Sequence, residues 1–313
     1  MKKGGNMKSV KMLAFLMLLT IFIVGCIKES DEDQIRELLE TSQYIGDGVG
    51  RSFNDSTNVP QGPSGSYSLA VDTFPSDVRW VRWVETPITT IYNIVVEGDS
   101  ADVTITKYIH GEPPGYGLYV INDLSGPIWQ HSIIDSAVRK IKLYNDGDGW
   151  HILSLTAGDL FSVGYKNSIN ITEITAEVES RGYVWSINSS DAYYTKDELP
   201  TFEPSDTIDV TVTISIPGGD SCWSFLHHGA GHKPGFGLRR HHRDPFYRDD
   251  TYTFSRTWQI ADDSVTYGVR HAAVDVIIWG AIFGDSTASY YARAWAMPYI
   301  VKAPGQDIPL DMP

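Results

Sequence analysis

The chain has 313 residues, with 39 acidic against 25 basic side chains, a formal net charge of -14 and 42% hydrophobic content. An acidic balance of this size repels nucleic acid and anionic lipid headgroups, so neither is expected as a charge-driven partner. The length suits two ordinary domains or one large one, and two cysteines exclude a disulfide framework.

The first element is the apolar run from Met12 to Cys26, preceded by Lys2, Lys3, Lys8 and Lys11 and ending in Ile23-Val24-Gly25-Cys26. A spanning helix needs ~20 apolar residues, and this run is shorter. It resembles a bacterial lipoprotein signal with its lipobox. The resemblance implies that residues 1–25 are removed, that Cys26 receives a covalent diacylglycerol, and that the rest is exported on this lipid anchor. In an envelope with two membranes it favours the outer one, because Ile27 rather than Asp follows the cysteine. Removal takes away four lysines and no acid, which moves the formal charge from -14 to -18. Cys222 is then the one unmodified thiol, so no intramolecular disulfide forms.

Residues 26–30 are the lipidated cysteine and a short leash, part of an acidic stretch from Ile27 to Asp33. Ser30 stands three residues before Asp33 at capping spacing, and Ile35, Leu38 and Leu39 follow with a helical period, which predicts a helix over 31–41. Residues 46–68 are rich in Gly, Ser, Asn and Pro and read as a long loop. Strand patterns begin near Asp77. Residues 91–97 and 101–107 flank Gly98-Asp99-Ser100, with Ala101, Val103 and Ile105 on one face. Residues 138–144 and 150–155 flank Asn145-Asp146-Gly147-Asp148-Gly149, a second hairpin. A helix followed by a curved antiparallel sheet, with VVEGDSADVTI and RKIKLYNDGDGWHILSL, resembles the nuclear-transport-factor-2-like, cystatin-like cone. That resemblance implies an α+β domain over residues 31–165 with a hollow able to hold a small molecule.

The pattern resets at 166–170, and Thr207 to Ile216 alternates without a break: Ile208, Val210, Val212, Ile214 and Ile216 face one way. Further strands are predicted at 171–178, 182–187, 222–228, 251–260, 269–279 and 290–301. Residues 171–303 therefore resemble an immunoglobulin-like or fibronectin-III-like all-β sandwich, followed by an extended tail at 304–313. Each half is expected to hold its own core and to fold alone.

Motif searches are mostly negative. Gly62-Pro63-Ser64-Gly65-Ser66 lacks the second glycine of a nucleophile elbow, and Gly229 to Gly235 fits neither a P-loop nor a dinucleotide fingerprint. Asp146 to Gly149 lacks the later acidic ligands of a calcium loop and reads as a turn. Trp80 and Trp83 are separated by three, so in a strand they point to opposite faces and share no sugar-stacking platform.

Three functions from different classes follow. The first is a non-catalytic envelope module that binds another envelope protein or a glycan. The second is a small-molecule binder or enzyme using the cone, for which His131, Asp135 and His151 are the candidate pocket groups. The third is transition-metal binding by residues 222–250, where His227, His228, His232, His241 and His242 cluster. In extended chain, neighbouring histidines face opposite ways. The candidate set is therefore one of His227 or His228 with His232 and one of His241 or His242, plus Asp244 as an oxygen ligand. Against it stand Arg239, Arg240 and Arg243, cations that raise the energy of a nearby divalent ion.

Overall fold

The computed structural model describes residues 30–45, 73–74, 78–122, 129–229, 241–260 and 268–306. The expected signal peptide, Cys26, the loop at 46–68, His232 and the end of the tail lie outside these residues. No described helix is long and apolar enough to cross a membrane.

The fold is mostly β. Helix α1 (Asp31–Thr41) begins where the sequence predicts, with Ser30 Oγ accepting the Asp33 N–H at 3.2 Å and three acids in the first turn beside the positive helix end. It buries Ile35 and Leu39. The first hairpin joins β2 (Thr89–Glu97) to β3 (Ser100–Gly111), and β3 then pairs along its whole length with β6 (Ile133–Asn145). The second hairpin joins β6 to β7 (Trp150–Thr156) through a turn held by Asn145 and Asp146, whose side chains accept the N–H groups of Gly147, Asp148 and Gly149.

After Ala157 the chain continues as β8 (Gly158–Ser162), which stays on β6 but offers its other edge to β19 (Ala292–Val301). From there the sheet runs on through β18 (Gly268–Ile278), β14 (Cys222–Gly229) and β15 (His241–Pro245). Strands from both sides of residues 166–170 thus belong to one 11-stranded sheet. The boundary expected there does not part the structure. Arg293 of β19 reaches back across it, donating to Asp159 of β8 at 3.0 and 2.9 Å and to the carbonyls of Lys166 and Ile169 at 3.2 Å each. The stretch read as an interdomain pause is a clamped turn.

Two smaller layers cover this sheet. A five-stranded antiparallel sheet contains β9 (Asn170–Val178), β10 (Tyr183–Ile187), β13 (Thr207–Ser215), β16 (Tyr247–Arg248) and β17 (Thr253–Gln259). Its Trp258 meets His228 and Tyr299 of the large sheet, with ring centroids 5.1 and 5.2 Å apart. The large sheet, however, does not end at the C-terminal half. On the opposite face lies a three-stranded sheet of β1 (Val78–Trp83), β4 (Gly117–Asn122) and β5 (Trp129–His131). The chain can double back from β3 into β4 because Gly111 and Gly117 pass at backbone contact. A Cβ at Gly111 would sit 2.6 Å from the Trp83 carbonyl oxygen and 2.7 Å from the Gly117 nitrogen. No side chain fits there. Because layers lie on both sides, β19 is buried along its full length.

Candidate functional site

Strand alternation should place apolar groups inward, but several inward positions carry charge. On β1, Val78, Trp80 and Arg82 share the buried side, while Trp83 is 42% exposed against 2% for Trp80, as odd spacing demands. Arg82 donates through Nη2 to both Asp275 oxygens at 2.9 and 2.7 Å, and His227 Nε2 lies 3.1 Å from Asp275 Oδ2. Arg82 and Asp275 are 1% and 0% exposed. Next to them, Asp135 on β6 accepts the Ser162 hydroxyl at 2.6 Å and the Tyr290 hydroxyl at 2.9 Å. Arg243 stacks 3.6 Å above the Trp80 ring and donates to the Trp80 carbonyl. These groups form a sealed polar seam between β1 and the large sheet.

The seam has opposing electrostatics. Burial alone would raise the Asp275 carboxyl, but the Arg82 guanidinium and His227 outweigh it and hold it below the usual carboxylate range. At Asp135 burial wins over Arg82, and its carboxyl is raised. A depressed folded pKa contributes stability that is present above the unfolded value of ~3.9 and lost as pH falls through the folded value. Asp275 therefore gives an acid limb below pH ~4. The raised Asp135 has the opposite sign, favouring the fold below its unfolded value and losing that contribution as pH rises through the folded one. Chemical denaturation from pH 2 to 6 should show that Asp275→Asn flattens the acid limb; an unchanged limb would mean that Asp275 is not its source.

The sequence-predicted pocket groups do not assemble. Asp135 lies in the seam, and His131, on β5, sits near the backbone of Ala281 and Ala288, its pKa lowered by burial. His151 is at the tip of the second hairpin, 3.1 Å from Asp146 and stacked on Tyr144. The histidine-rich segment behaves as its alternation predicts: His227 turns toward Asp275, and His228 turns to the other face, 3.0 Å from Asp244 and beside Trp258. His241 and His242 lie on β15, their side chains outside the described set, as is His232. Among the described residues no three His, Cys, Asp or Glu side chains come together for a metal ion. His227 is directed away from any site that His228 and Asp244 could share.

A cavity of about 520 Å³ does exist, in a place no candidate occupied. Its floor is one face of three strands, where Thr90, Lys107 and Ala137 line up across β2, β3 and β6, and Tyr92, Ile105 and Arg139 form the next row. Its roof is Arg36, Leu39 and Glu40 of α1, with Ile45 closing one side. Arg36 lies 4.9 Å over the Tyr92 ring. Arg139, only 3% exposed, donates to the carbonyls of Tyr44 at 3.4 Å and Ala296 at 2.9 Å. Burial pushes its pKa down to about 10, with no acidic group opposing the shift. A volume in the range of ~300–1,000 Å³, apolar walls and a few charged groups are what a small-molecule site requires.

No protein-family model matches the chain, and no curated protein sequence matches it significantly.

Proposed function

We propose that the chain is an exported, lipid-anchored envelope protein that binds a small molecule in the cavity beneath α1 without transforming it. The cavity carries this reading. It has the size of a ligand site, whereas the groups suited to acid–base chemistry are elsewhere, buried and engaged with other protein groups. Among the described residues that line the cavity there is no His, Cys or Ser, and the one acid, Glu40, is exposed on α1 and four residues from Arg36. The proposed cone is supported by α1 lying over β2, β3 and β6, and the proposed sandwich by the strand-rich C-terminal half.

The lipid anchor is supported by the basic, apolar and small-residue succession that ends at Cys26. Intact-mass analysis of the protein from membranes should find a diacylated N-terminal cysteine at this position. Cys26→Ser should leave the chain unprocessed or release it into the soluble fraction. A Cys26→Ser protein processed and held on the membrane as before would overturn the anchor.

A further inference from the structure

We infer that the ligand of the cavity beneath α1 is a small organic anion, a carboxylate on an apolar body, seated against Arg139. The inference rests on the binding reading above and specifies its chemistry. Acids outnumber bases 39 to 25 in the chain, yet among the described residues lining this cavity Arg36, Lys107 and Arg139 are basic and Glu40 is the one acid. Arg139 is the deepest of the three. Both of its protein acceptors are neutral carbonyls, its Nε has no hydrogen-bond partner, and among the described residues no carboxylate pairs with it.

A buried cation without a counter-charge is unfavourable; Arg82 is paired with Asp275 and Arg293 with Asp159. Arg139 instead lines an open cavity. A carboxylate entering there supplies the missing opposite charge. Leu39, Ile88, Tyr92 and Ile105 offer the apolar contact for the rest of the molecule. Metal cations and amines meet repulsion from the same three groups.

Octanoate, 1-octanol and octylamine vary the headgroup charge on a constant apolar body, and calorimetric titration of the full mature chain carrying Cys26→Ser avoids detergent. Octanoate should bind about tenfold or more tightly than octanol, as expected for a charge-assisted contact, and octylamine more weakly than either. Arg139→Met should bring octanoate down to the affinity of octanol. Should that variant not fold, Arg36→Gln with Lys107→Gln is the second test, and octanoate should again approach octanol. Ala137→Phe, which fills the floor, should abolish binding of all probes. If no probe binds the parent chain, the cavity reading itself falls. If all three bind alike and Ala137→Phe removes them, the cavity stands and the anion inference is overturned. Preference for octanoate that survives the arginine and lysine replacements, or Ala137→Phe, would also overturn it.

Discussion

Asp275→Ala will destabilise the full chain by about 3–5 kcal/mol, the range for removing one partner of a buried ion pair. The loss is large because Asp275, at 0% exposure, is shared: Arg82 gives it a two-oxygen contact and His227 a further one at 3.1 Å. Without it, the Arg82 guanidinium, at 1% exposure, loses its two-oxygen carboxylate contact. For a chain of this size the loss corresponds to a fall in melting temperature of ~10 °C. The pair joins β1 to β18, so the effect lies in tertiary packing rather than in any local element. Replacing both partners by apolar residues, as Arg82→Met with Asp275→Leu, should recover much of the loss, because neither charge is then stranded. Urea denaturation of the two single variants and the double variant measures this directly. A single-variant loss below about 1 kcal/mol would mean that the seam is solvated and the pair carries little.

Division of the chain at 166–170 will leave neither half with a cooperative fold. Separation exposes the β8 edge, removes the full burial of β19, and parts Arg82 from Asp275, Asp159 from Arg293, and Arg139 from the Ala296 carbonyl. Each half would then carry an open sheet edge and at least one stranded charge. Residues 30–164 and 168–303, made separately, should be insoluble or melt without a sharp transition. Made together, they should associate through β8 and β19. Two soluble halves with separate cooperative transitions would show that the shared sheet is incidental.

Much of the β pattern was legible. The alternation of Ile208 to Ile216 and both hairpin turns are local signals, and each appears where predicted. The opposite orientations of His227 and His228, and of Trp80 and Trp83, followed from period two alone. The β8–β19 pairing was not legible. It joins residues more than 130 apart, and nothing in either strand names its partner.

The site residues were missed for another reason. His131, Asp135 and His151 were chosen by residue type, whereas the informative signal was register: Arg139 and Lys107 occupy inward positions of strands whose neighbours there include Ile105 and Ile141. A charge on the core face of an alternating strand must be paired or must face a cavity. The same reading would have singled out Arg82, Asp135 and Asp275. Sequence does not tell which of these inward charges are paired, since Arg82 and Asp275 are separated by 193 residues.

Isoleucine methyl NMR of the mature chain titrated with octanoate tests the central claim, that the cavity under α1 is the ligand site. Ile45, Ile88 and Ile105 line that cavity, while Ile277 and Ile282 lie in the core around β18 and α2 (Trp279–Phe283). Saturable shifts should concentrate at Ile45, Ile88 and Ile105, with Ile277 and Ile282 unmoved. Shifts centred on Ile277 or Ile282, or none at any of the five, would contradict that claim.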